Sequence, residues 1–165
     1  MIAAKSIKPK RFDAGVIQKE LQIEVNACGR EIKADFEKTT KPWTHKVKFE
    51  VLRKYSGGEL SVIVGTDDEI YRFVDQGTKR HPIPKGGPGL LAFRPNYTAK
   101  TSPRIIGSQP GGASGNRIVR FKQVMHPGTK AREFDKMIQA MWKSRFKSRM
   151  ETALSRGVAK CGHKA

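Results

Sequence analysis

An α+β fold is predicted by three features of this 165-residue chain. A long apolar stripe of helical period lies near the N-terminus, alternating apolar residues follow in the middle, and a second long helical pattern precedes the C-terminus. The expected arrangement is one domain over residues 1–165. In it a small antiparallel sheet of about four strands packs against the N-terminal and C-terminal helices, with a long flexible loop between two strands.

Residues 1–11 read as an extended basic arm. Asp13 has the short acceptor side chain of a helix N-cap, and Phe12 before it is placed to staple onto Ile17. Ile17, Leu21, Val25, Cys28, Ile32 and Phe36 then recur at spacings of 4, 4, 3, 4 and 4. That is one apolar stripe on a helix from Ala14 to about Lys38. Lys41-Pro42 ends it, because proline has no amide hydrogen to donate and crowds the preceding turn.

Period two takes over at Val47, Phe49 and Val51, as in a half-buried strand. Ser56-Gly57-Gly58 is a turn signal and Leu60 to Val64 a second strand, so the pair reads as a hairpin. Asp67-Asp68 is suited to start a short helical turn over Ile70, Tyr71, Phe73 and Val74, closed by Gly77. Leu90 to Phe93 and Ile118 to Met125 supply two further strands. Between them, residues 95–117 hold Pro103, Gly107, Pro110, Gly111, Gly112, Ser114 and Gly115 and almost nothing to bury. A loop of that length is uncommon inside a domain, and it is expected to project as a flexible finger.

The last helix is predicted from about Glu133 to Ser155. Phe134, Met137, Ile138 and Met141 share one side, after which Trp142, Phe146 and Met150 follow at strict intervals of four. With 3.6 residues per turn, such a stripe walks around the cylinder. Either the helix bends around one core, or its second half leaves the core and packs on another subunit. The second arrangement is the one expected here, which makes Trp142, Phe146 and Met150 inter-subunit contacts. Residues 156–165 are expected to fray as a C-terminal tail.

The composition narrows the function classes. Apolar residues make up 37% of the chain, which is lean for a monomer and favours burial between subunits. No apolar run approaches the ~20 residues of a membrane span. Nothing after the basic N-terminus resembles a signal peptide, so a soluble protein is expected. Cys28 falls on the apolar stripe, as a buried free thiol would, and Cys161 lies in the terminal stretch. Charge is lopsided. Residues 1–76 hold 14 Lys+Arg against 12 Asp+Glu, whereas residues 77–165 hold 19 against 3. An excess of that size asks for a polyanionic neighbour, nucleic acid or an acidic protein surface.

Two segments are more specific. The first is Val74-Asp75-Gln76-Gly77-Thr78-Lys79-Arg80-His81-Pro82-Ile83-Pro84-Lys85, followed by Leu90-Leu91-Ala92-Phe93. The second is Val124-Met125-His126-Pro127-Gly128-Thr129-Lys130-Ala131-Arg132-Glu133-Phe134. In this order, over roughly residues 12–155, the chain resembles the neck and tail-completion (head–tail connector, minor tail component) family of long-tailed bacteriophages. It departs from that family in its longer finger and in Glu133, where a proline often precedes the phenylalanine.

The resemblance implies a virion structural protein without catalytic activity or cofactor. Copies would form a ring, of six or twelve subunits, joining portal, adaptor or stopper proteins to the tail terminator or tail tube around the DNA channel. It would be assembled in the host cytoplasm and lodged at the virion neck, with no membrane partner. Gly77, Thr78, His81, Pro82, His126, Pro127, Gly128 and Thr129 are the motif residues. Pro127-Gly128 suits a type II turn, and Thr129 is a candidate cap for the helix beyond. No carboxylate or thiol stands at ligand spacing from His81 or His126, so packing around the turns is expected of both rather than metal binding. Gly111 to Gly115 lacks the Lys-Ser/Thr ending of a phosphate-binding loop.

The second function class is sequence-independent binding of double-stranded DNA. Arg94, Arg104, Arg117, Arg120, Lys122, Lys130, Arg132, Lys143 and Lys147 are the residues expected to meet DNA or an acidic partner. Lys136 and the pair Arg145 and Arg149 add to that surface, and Arg104 and Arg117 are expected to reach the lumen or an adjoining ring. The aromatic interleaving of a single-strand platform is missing.

Overall fold

The stripe from Ile17 to Phe36 forms α1 (Ala14–Thr40) in the computed structural model, which describes residues 11–56, 59–83, 91–93, 101, 103–106, 119–121 and 124–163. The Asp13 carboxylate caps it by accepting from the amides of Gly15 and Val16. Val25, Cys28 and Phe36 are buried from the predicted stripe. Phe12 stacks on the His163 ring, with centroids 4.2 Å apart, as a clamp to the far end of the chain.

The hairpin is β1 (Glu50–Ser56) and β2 (Glu59–Gly65), antiparallel with Glu50 opposite Gly65. β1 begins later than the alternation suggested. Opposite Val47 and Phe49 the chain has already turned toward the next helix, so those residues have no strand partner and pack on the core instead. One hairpin face rests on α1. Val51 and Val62 come so near Gly29 that a β-carbon there would lie 2.9 and 2.8 Å from their methyls. The other face leaves Leu52 and Ile63, cross-strand partners, 64% and 62% exposed.

Next comes α2 (Glu69–Gln76), capped by Asp68, whose carboxylate accepts from the Tyr71 amide, and closed by Gly77 at φ 76°. The short strands β3 (His81–Pro82), β4 (Leu91–Phe93), β5 (Val119–Phe121) and β6 (Met125–His126) follow. β3 pairs with β6 and β4 with β5, both antiparallel. Among the described residues the fold is therefore α+β with three helices and three two-stranded ladders, not one sheet of four strands. The hairpin is held by α1 rather than by the motif strands, whose ladders are only two or three residues long.

The last helix is α3 (Phe134–Lys160), which runs five residues beyond the predicted end at Ser155 and packs along α1. The alternative in which its second half departs to another subunit does not hold within this fold. Trp142 is 4% exposed, and Phe146 and Met150 pack against the same core. Although the stripe drifts, Phe146 and Met150 stay against the core, and ion pairs to α1 continue as far as Lys160 and Glu20. The predicted tail is docked as well. Gly157 is buried against Ile17, where a β-carbon would meet the Ile17 Cα at 3.0 Å. The core joins Cys28, Phe36, Phe49, Tyr71, Phe134, Ile138 and Trp142. Phe49 and Tyr71 meet edge to face at 5.1 Å. No helix among the described residues is long and apolar enough to cross a membrane.

Candidate functional site

The two sequence motifs fold onto each other. Residues 78–83 run antiparallel to residues 124–129, with Thr78 opposite Thr129 and His81 opposite His126. The Thr78 amide donates to the Thr129 carbonyl at 2.9 Å, and the Thr129 amide donates back to the Thr78 carbonyl at 3.1 Å and to its Oγ1 at 2.9 Å. Each glycine of the two Gly-Thr pairs lies against the opposite threonine. A β-carbon on Gly77 would strike the Thr129 carbonyl oxygen, and one on Gly128 the Thr78 carbonyl oxygen. Both glycines also hold positive φ, 76° and 96°, a region side chains resist. The crossing therefore requires glycine twice, for conformation and for space.

Thr129 is thus a cross-strand partner and not the cap of the last helix. That cap comes from α2. The buried Asp75 carboxylate accepts from the amides of Phe134 at 2.6 Å and Asp135 at 3.3 Å, a negative group at the positive end of α3. Backbone bonds reinforce it, since the amides of Arg132 and Glu133 donate to the Asp75 carbonyl. Burial first, and then the neighbouring Asp135, push the Asp75 carboxyl up to about 6. Burial, with Asp75 beside it, also raises the Tyr71 phenol well above its usual range.

His81 and His126 stack with centroids 5.0 Å apart. His81 Nδ1 lies 2.8 Å from the Lys79 carbonyl, so it carries the hydrogen, whereas His126 Nδ1 accepts from the Gly128 amide at 3.0 Å. The rings brace the two turns. Among the described residues no three His, Cys, Asp or Glu converge as a metal set.

Part of the predicted finger does not project. Thr101 is buried and Ile106 packs on the core. The Arg104 amide donates to the Arg132 carbonyl at 2.8 Å, and its guanidinium pairs with Glu133 at 2.9 Å. Arg104 and Glu133 both hold positive φ, 58° and 56°, so two residues in unfavourable conformations lock each other. A proline, fixed at negative φ, cannot occupy the conformation Glu133 adopts. Arg104 is engaged at its own junction, although its side chain stays 77% exposed.

The charge asymmetry is partly answered inside the chain. Glu20 pairs with Lys160, Glu24 with Arg156 and Arg149, and Glu31 with Arg149 and Arg145. Asp35 accepts from the Trp142 indole at 2.9 Å, and the Arg145 guanidinium lies over that ring. The Lys160 ammonium holds the Glu20 carboxyl low. Burial opposes ionisation of Glu24, but Arg156 and Arg149 together outweigh it and its value falls. The Glu31 carboxylate, ahead of Glu24, raises the Arg149 guanidinium. Arg145 and Arg149, expected on the open basic surface, face α1 instead.

Of the predicted contacts, Lys130, Lys143 and Lys147 are exposed, with Glu151 3.9 Å from Lys147. Arg132 is half-buried at the motif crossing. Arg94, Arg117 and Lys122 lie outside the described residues, as does most of the 1–11 arm, and only the backbone of Arg120 is described, in β5. Among its described members, Arg145 and Arg149 lie in the seam, Arg104 and Arg132 lie near the crossing, and Lys130, Lys143 and Lys147 are exposed. Comparison with protein families, with characterised proteins and with solved structures returns no match to this chain.

Proposed function

We propose that this chain is a structural subunit of the bacteriophage head–tail junction, a neck or tail-completion protein that assembles as a ring around the DNA channel and carries out no catalysis. The observation that carries this reading is the reciprocal Gly-Thr crossing. The residues that resemble the neck family are spent on backbone geometry: glycines against threonines, a carboxylate capping a helix, and imidazoles bracing turns. Such motifs support a part whose shape is its task. The test is deletion of the gene from its phage. Full heads and finished tails that fail to join, rescued by supplying the protein in trans, are expected. Normal virions in the deletion strain contradict the reading.

A second reading, non-specific binding of double-stranded DNA, is favoured by one feature. Lys143 and Lys147 stand exposed on α3, apart from the cations that α1 neutralises. In a ring around DNA the two readings coexist. If Lys143 and Lys147 meet phosphates, changing both to Glu lowers DNA affinity and the steepness of its salt dependence in a mobility-shift titration. Unchanged affinity removes them from that role.

A further inference from the structure

A groove of about 990 Å³ runs between β2 and α3. Its lining includes every residue from Leu60 to Val64 and none of β1. Five consecutive strand residues border one groove only if the strand meets it edge-on, since successive side chains point to opposite faces. Among the described residues β2 pairs with β1 alone, so its second edge, with its amides and carbonyls, faces that groove. The floor is apolar: Ile32, Phe36, Ile138, Trp142 and Phe146.

We infer that this groove receives an extended segment of a partner protein, alternating apolar and acidic residues, which adds to β2 as a third strand. The inference goes beyond the ring reading and stands without it. Strand edges are normally protected by lysine, arginine, proline or a bulge. β1 carries Arg53 and Lys54, whereas β2 has one charge, Glu59 at its first residue, and neither charge nor proline from Leu60 to Gly65, in a chain with 33 Lys+Arg. An added strand satisfies the edge by main-chain bonds and sends alternate side chains to the floor. Its remaining side chains point to the opposite face of the sheet, that of Leu52 and Ile63, and the α3 side of the groove carries Lys136 and Lys143 beside a single carboxylate, Asp135. Lys136 is bridged to Glu133, while Lys143 has no acidic partner among the described residues. A second copy, also of net charge +18, would bring like charge to that wall. An acidic segment is drawn to it.

The full chain is titrated with a labelled synthetic peptide alternating valine and glutamate, with the same peptide N-methylated along its backbone, and with a valine–lysine counterpart. Amide shifts in ¹⁵N spectra report the place of binding. The acidic peptide is expected to bind and to shift the amides of Leu60 to Val64. N-methylation should abolish binding, and Lys143→Glu should weaken it about tenfold while improving the lysine peptide. Retained amide dispersion in the variant shows that it is folded. The proposal is overturned if the acidic peptide does not bind at millimolar concentration, if the N-methylated or lysine peptide binds as well, or if shifts fall elsewhere. It is equally overturned if raising the protein concentration alone shifts the β2 amides, which assigns the edge to a second copy.

Discussion

Along the α1–α3 seam, contacts repeat turn after turn, from Asp35 against Trp142 to Glu20 against Lys160. At the Gly-Thr crossing, two glycines and one carboxylate hold a junction whose flanking strands are two residues long. The seam is distributed, and losing one pair leaves its neighbours in register. The crossing is concentrated, because its backbones touch and no side chain can move aside to absorb a change. Substitutions should separate the two regions by size of effect.

The largest effect is expected at Phe134, fully buried where the crossing hands over to α3. Phe134→Ala should lower stability by about 3–5 kcal/mol in chemical denaturation, through lost burial and the cavity left behind. Gly128→Ala comes next, at about 2–4 kcal/mol, since it combines unfavourable φ with a clash against backbone. A loss under about 1 kcal/mol there would erase the contrast between the regions.

Asp75 sharpens the comparison through pH. Asp75→Ala removes the α3 cap and should cost about 1–2 kcal/mol. Asp75→Asn keeps an acceptor for the Phe134 amide but cannot titrate. The folded carboxyl, at about 6, lies above its ordinary 3.8, so the folded chain holds a proton that the unfolded chain releases. This stabilising contribution is fully present below 3.8 and is lost as pH rises through about 6. Melting temperatures between pH 4 and 7 should therefore show a flatter profile for Asp75→Asn than for the parent. The seam acids Glu24 and Asp35, whose values are lowered, act with the opposite sign: their stabilisation is lost as pH falls below the ordinary carboxylate range.

The smallest effect is expected in the seam. Arg149→Gln breaks ion pairs to Glu24 and Glu31 on a partly exposed face and should cost about 1 kcal/mol or less. A loss as large as that of Gly128→Ala would show that the seam is not redundant.

The same contrast explains what was legible in the sequence. α1, the hairpin and α2 are local structures written in periodicity and caps, and the Asp13 and Asp68 caps stand where the residues predicted. The path of α3 was not readable from α3 alone, because its drifting stripe fits a partner inside or outside the chain. The missing signal lay in two helices read together. Acids at 20, 24, 31 and 35 and bases at 145, 149, 156 and 160 share the spacing 4, 7, 4, which an antiparallel pair brings into register. The motif glycines read as turn formers, but their mutual approach depends on residues about fifty positions apart. Thr129 stands where a cap is expected, but the cap, Asp75, comes from another element. The docking of Thr101 and residues 103–106 leaves no periodic trace, since it rests on Arg104 and Glu133 in conformations that sequence does not announce.

Electron cryomicroscopy of the purified particle puts the proposed ring at the virion neck to the test. A six- or twelve-fold ring between portal and tail tube, with density that fits the α1–α3 pair and the Gly-Thr crossing, is expected. A junction resolved to side-chain detail that contains no copy of this chain overturns the proposal.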